Sequence, residues 1–205
     1  MAEKTLHPAP SLTRAPALTL PEAESAAVRA AYGAAGVILE YGSGGSTAFA
    51  ASLPGKVLFS VESDRDWLDG LTEWFSAHPP VSDLRLHHAD IGPTGAWGSP
   101  RGQSAWARYH TYPLSVWDRE DFLHPDLILI DGRFRAACFL AALFRITRPV
   151  VVLWDDYADR PAYHEVERYA RPVQMHGRMA RFDLKPMAMP PADLAFVIDQ
   201  FTRKQ

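Results

Sequence analysis

The sequence predicts one α/β domain over residues 19–205, a mainly parallel sheet covered by helices on both faces, behind an extended arm of residues 1–18. Three observations carry this. Short apolar, β-branched runs alternate with segments whose apolar residues recur at helical spacing, the pattern of strands joined by helical crossovers. A chain of 205 residues, 47% apolar and 22% charged, is a single globular domain large enough to bury its own core. Polar residues and glycines collect at the ends of the apolar runs, where sheets of this kind bind ligands.

The arm carries Pro8, Pro10 and Pro16, so it reads as extended chain packing on the domain or on a partner, a homo-oligomer included. Thr19 and Glu22 have capping-box spacing with Pro21 between them, which predicts a helix from Thr19 through Tyr32, stopped by Gly33. Val37-Ile38-Leu39-Glu40 is the first strand, followed by the turn Gly42-Ser43-Gly44-Gly45 and a helix over 46–53. A second strand over 56–61 ends at Glu62. Residues 64–78 set Trp67, Leu71, Trp74 and Phe75 on one helical stripe. Residues 84–91 form a third strand, and 92–122 an irregular stretch rich in Gly, Trp and Tyr. A strand over 126–130, a helix over 134–146 and a strand over 149–154 resume the alternation. A helix over 162–170, a hairpin over 173–185 turning near His176-Gly177, and a last helix through Leu194, Val197, Ile198 and Phe201 complete the chain.

Lys and Arg number 21 against 24 Asp and Glu, a net charge of -3, so no bulk positive charge draws the chain to nucleic acid or anionic lipid. The single Cys138 lies in an apolar run and cannot pair within the chain, in keeping with a reducing compartment. No signal-peptide pattern is present, and the longest apolar run, 136–144, is far short of a membrane span. A cytoplasmic protein with no membrane partner is expected.

The strongest chemical signal is Glu40-Tyr41-Gly42-Ser43-Gly44-Gly45-Ser46 directly after a strand. Glycines there let a ligand approach the backbone, and the helix that follows offers N–H groups to a carboxylate or phosphate. Glu62, ending the next strand, can accept both hydroxyls of a ribose. A dinucleotide fingerprint would want a glycine where Thr47 stands. Glu40, two places before Gly42, would repel a pyrophosphate but suits an ammonium. An ammonium, a carboxylate and a ribose diol are the polar features of S-adenosylmethionine. The plainer readings are an ordinary turn and a solvated strand-end carboxylate.

On these residues the sequence resembles the class I S-adenosylmethionine-dependent methyltransferases, over roughly 38–157. Leu39-Glu40-Tyr41-Gly42-Ser43-Gly44 matches the family's first motif, with Ser46 where a third glycine often stands. The resemblance implies a Rossmann-like methyltransferase fold: a three-layer sandwich around a mainly parallel seven-stranded sheet. It implies cofactor contacts from Glu40, Tyr41, Gly42, Ser43, Gly44 and Ser46, and from Glu62 and Ser63 at the ribose. Asp90-Ile91 resembles the family's acidic site for the adenine amino group.

A second constellation is Ile130-Asp131-Gly132-Arg133 with Trp154-Asp155-Asp156-Tyr157, whose acids end two adjacent strands. Clustered carboxylates repel unless a cation or hydrogen bonds compensate, and oxygen ligands suit Mg²⁺ or Ca²⁺. The spacing looks like the metal-dependent O-methyltransferases related to catechol O-methyltransferase, which implies Asp131, Asp155 and Asp156 as metal ligands. Departures are Asp156 where that group carries Asn, and Arg133 and Arg135 in place of its helper lysine. The competing reading is an arginine network through Arg133, Arg135 or Arg160. The candidate catalytic groups are Asp131 and, in the aromatic stretch 97–117, His110. Methyl transfer to a small-molecule acceptor, O-methylation favoured, is the expected function. A nicotinamide-dependent oxidoreductase and a non-catalytic binding module are the alternatives.

Overall fold

The computed structural model describes residues 12, 14 and 16–203. Seven strands form one sheet: β1 (Val37–Tyr41), β2 (Val57–Glu62), β3 (Asp83–His88), β4 (Leu127–Ile130), β5 (Val150–Trp154), β6 (Gln174–His176) and β7 (Met179–Leu184). Their order is β3-β2-β1-β4-β5-β7-β6. The first five strands run parallel, and β7 pairs antiparallel with both β5 and β6. The strand order reverses between β1 and β4, which opens a crevice at their carboxyl ends.

The helices are α1 (Glu22–Ala34), α2 (Gly45–Ala51), α3 (Arg65–Ala77), the single turn α4 (Thr111–Leu114), α5 (Arg135–Arg145) and α6 (Leu194–Thr202). Two cores flank the sheet. One gathers Val28 and Tyr32 of α1, Ala50 of α2 and the strand residues Ile38, Leu58 and Leu129. The other gathers Leu39, Tyr41, Ile128 and Ile130 beneath Phe139 and Leu140 of α5. Neighbouring strand residues thus serve opposite faces, as a two-residue repeat demands. α5 is buried along almost its whole length, which its apolar run from Ala136 to Leu143 allows.

Several boundaries differ from expectation. Thr19 caps nothing: α1 starts at Glu22 with Pro21 as its N-cap, and it passes Gly33 because the Ala35 N–H still reaches Ala31 O at 3.0 Å. β3 ends at His88, before Asp90 and Ile91. The expected helix over 162–170 is a 3₁₀ segment, Pro161–Arg168. The arm's Pro8 and Pro10 lie outside the described residues, whereas residues 16–20 lie against the glycine-rich turn.

Candidate active site

The turn after β1 is shaped by contact with the turn after β4. Gly42 has φ +104°, and a Cβ there would stand 2.8 Å from the N and Cα of Gly132. Two backbones meet without side chains between them, which leaves both positions to glycine. Beyond Gly42 the main chain is held by the protein itself. The Gly42 N–H donates to Val61 O at 2.9 Å, Ser43 N–H to Glu62 Oε2 at 3.3 Å and Gly44 N–H to Thr47 Oγ1 at 2.8 Å. Trp67 Nε1–H of α3 donates to Ser43 O at 2.8 Å, and the Ser43 and Ser60 hydroxyls meet at 2.7 Å.

A cavity of about 440 Å³ opens over this turn, within the ordinary range of small-molecule sites. Its floor is Gly42, Ser43, Gly44, Gly45 and Ser46. Glu62, Asp64 and Trp67 form one side, and Asp131, Gly132 and Arg133 the other. Residues 16–20 and Trp97-Gly98 close it from above. The strap 16–20 crosses directly on Gly45, where a Cβ would stand 2.0 Å from Ala17 O. Gly44 is open instead, with nothing within 4 Å of its would-be Cβ.

Glu62 is buried, and three backbone donors fix it. Its Oε1 accepts from the Ser63 N–H at 2.7 Å and the Asp64 N–H at 2.9 Å, while Oε2 takes Ser43 N–H. Burial raises its pKa from the ordinary glutamate value, and the backbone bonds oppose that shift. The loop carrying Trp97 presses on it: a Cβ at Gly98 (φ +68°) would stand 2.8 Å from Glu62 Oε1. Trp97 adopts a left-handed backbone, φ 58°, and leaves its indole 89% exposed at the cavity mouth. For a bulky residue that conformation is strained.

Five of the ten expected cofactor contacts line the cavity: Gly42, Ser43, Gly44, Ser46 and Glu62. The other five do not. Glu40 shares the face of Ile38, beneath α1 and α2, and is fully buried. Its carboxylate accepts from the hydroxyls of Tyr32 at 3.0 Å, Ser60 at 2.7 Å and Thr47. Tyr41 faces the opposite core, where its hydroxyl donates to Pro113 O and accepts from Trp117 Nε1–H. Ser63 lies under the loop, donating to Gly98 O at 2.8 Å. Asp90, beyond the end of β3, is exposed and paired with Arg108 at 2.7 Å, and Ile91 is core. His110 is exposed and away from the cavity. Of the aromatic stretch, Tyr109, Tyr112 and Trp117 pack inward, and only Trp97 reaches the cavity. The strap, Trp67 and Arg133 were not among the expected ligand contacts, although the arm's prolines, the Trp67 stripe and the expected arginine network pointed at each; Trp97 belongs to the aromatic stretch 97–117 that the sequence singles out.

The acidic cluster is an arginine network. Arg135 is buried and reaches Asp131 Oδ1 at 3.1 Å and Asp156 Oδ2 at 3.3 Å, with its remaining donors on the carbonyls of Asp131, Gly132 and Asp155. Arg178 grips Asp155 in a fork at 2.8 and 3.2 Å and touches Asp156 Oδ1 at 3.0 Å, while Arg160 reaches Asp156 Oδ2 at 2.9 Å. Arginines therefore occupy the positions a cation would take. The residues do not fit a divalent ion, and among the described residues no group of three metal-ligating side chains comes together. Arg178, on the turn between β6 and β7, replaces Arg133 as the third partner. Asp131 lines the cavity, and its pKa is pushed up to about 7 by burial; Arg135 opposes this, and Asp155 and Asp156 add to it.

No family model and no curated protein matches the chain. Among solved structures, a methyltransferase-like protein from Silicibacter pomeroyi DSS-3 is 49% identical, over 92% of this chain and 98% of that one, with a TM-score of 0.88. A methyltransferase from Geobacter sulfurreducens shares the fold at 10% identity, 82% of each chain and a TM-score of 0.52. Cofactor-bound Rv0187 from MTB does so at 14% identity, 85% of each chain and 0.54. The chain belongs to the class I S-adenosylmethionine-dependent methyltransferase family. This displaces the nicotinamide-dependent alternative.

Proposed function

We propose that the cleft over β1, β2 and β4 binds S-adenosylmethionine and that the chain transfers its methyl group to a small-molecule acceptor, with an oxygen nucleophile favoured. The single observation that carries this is the convergence of the glycine turn, Glu62 and Asp131 on one cavity at the carboxyl ends of three parallel strands. When bound, the cofactor supplies an activated methyl on a sulfonium. The protein's part is to bind, align and exclude water. Glu62 Oε2 carries one protein hydrogen bond and has lone-pair capacity left for a ribose hydroxyl. Gly44 offers bare backbone to the ligand. Trp67, Trp97 and the strap line the rest of the cavity.

An acceptor hydroxyl arrives protonated, and Asp131 is the carboxylate placed to hold its proton. A pKa near 7 matches that task at neutral pH. With the carboxylates taken by arginines, no step is assigned to a metal. Calorimetry with S-adenosylhomocysteine tests the reading: the wild type binds, and Glu62→Gln weakens binding by about tenfold, the loss of one charge-assisted hydrogen bond. A wild type that does not bind ends the proposal.

A further inference from the structure

We infer that Arg133 is the receptor for a carboxylate in the cleft, supplied by the amino-acid end of the cofactor or by the methyl acceptor; this rests on the methyltransferase reading and gives it a charge preference. Arg133 lines the cavity on the β4 side. Its Nε is buried and has no hydrogen-bond partner, and its guanidinium joins none of the ion pairs found among the described residues. The contrast with its neighbours is sharp. Arg135, Arg160 and Arg178 spend their donors on Asp131, Asp155 and Asp156, and Asp131, two residues from Arg133, is already held by Arg135 at 3.1 Å.

A buried donor without an acceptor costs free energy that an acceptor in the cleft can recover. The main chain around Arg133 is anchored on both sides: its N–H donates to Tyr112 Oη at 3.3 Å, and its carbonyl accepts from Cys138 Sγ at 3.4 Å. Phe134 follows with a left-handed φ of 51°, a sharp corner that fixes where the preceding side chain leaves the strand end. Within the turn itself, the N–H groups of Gly42, Ser43 and Gly44 all bond to protein acceptors. Glu62, Asp64 and Asp131 also line the cavity, so a multiply charged phosphate is repelled, whereas one planar carboxylate suits the guanidinium fork.

Calorimetry on wild type, Arg133→Met and Arg133→Lys decides this with three probes: S-adenosylhomocysteine, its decarboxylated analogue, and benzoate added to the S-adenosylhomocysteine complex. Because Arg133 forms no ion pair and its buried Nε has no partner, neither variant should melt below the wild type. If the cofactor supplies the carboxylate, Arg133→Met weakens S-adenosylhomocysteine by about 10- to 100-fold and leaves the decarboxylated analogue unchanged, with Arg133→Lys intermediate. If the acceptor supplies it, cofactor binding is unaltered, and benzoate binds the wild-type complex but not that of Arg133→Met. Equal binding of all three probes by wild type and Arg133→Met overturns the inference, as does an equal loss for S-adenosylhomocysteine and its analogue. A wild type that ignores S-adenosylhomocysteine defeats the methyltransferase reading instead. Arg133 is then judged by benzoate on the free protein, where binding lost in Arg133→Met upholds it and no binding overturns it.

Discussion

Replacing Gly132 by alanine should damage fold and cleft together, and the cost can be worked from the contacts. The new Cβ would stand 2.0 Å from Tyr112 Oη and 2.8 Å from Gly42 N, whereas ordinary contact begins near 3.4 Å. The tyrosine tip must therefore move by about 1.4 Å and the β1 turn by about 0.6 Å. Neither has room. Tyr112 is 1% exposed and wedged against the rings of Tyr41 and Phe134, at 5.9 and 5.7 Å. Gly42 is tied to Val61 O at 2.9 Å. Overpacking of so stiff a site costs about 2–4 kcal/mol. For a domain of this size that lowers the melting midpoint by roughly 5–15 °C. The control is Gly44→Ala, whose Cβ meets nothing within 4 Å. It should melt within about 2 °C of wild type, yet bind S-adenosylhomocysteine more weakly because the methyl enters the cleft. Thermal unfolding with calorimetry on both variants tests the pair. A Gly132→Ala protein that melts and binds like wild type would refute the claim that the two turns are in rigid backbone contact.

Glu40→Ala leaves the hydroxyls of Tyr32, Thr47 and Ser60 buried without their acceptor, so chemical denaturation should show a loss of about 2–4 kcal/mol. The protein that remains folded should bind S-adenosylhomocysteine more tightly than Glu62→Gln does. Mg²⁺ and EDTA should give identical melting midpoints at neutral pH, since arginines hold the acidic cluster; a rise with Mg²⁺ would contradict that assignment. Asp131 has a folded pKa of about 7, above its unfolded value, so folded protein binds the extra proton and stability falls as pH rises from about 4 to 7, then levels. His87, lowered to about 4 by burial and by Arg119, has the opposite slope, losing stability as pH falls from about 6.5 toward 4. The difference between wild-type and Asp131→Asn denaturation profiles isolates the first effect, and parallel profiles would remove it.

The alternation of apolar runs and helical stripes was enough to read the parallel sheet, because burial on both faces leaves little freedom in what such strands can contain. The glycine turn and Glu62 were legible for a related reason. Gly42 meets another backbone, and Glu62 ends a strand, so local sequence already states their position. Glu40 shows where local reading stops. Its place in the motif suggested a ligand contact, but strand alternation put it on the face that α1 and α2 cover, where three hydroxyls bind it.

Contacts between distant segments belong to the tertiary structure alone. The strap at Ala17 lies on Gly45, and the loop at Gly98 lies on Glu62. Arg178, brought from the β6–β7 turn, takes Asp155 and leaves Arg133 unpaired in the cleft. Which arginine neutralises which carboxylate depends on how chain segments far apart in sequence are packed side by side. Residue order states charges and periods, but ion pairing is decided by distances of a few ångströms that only the folded arrangement of the β4, β5 and β7 ends sets.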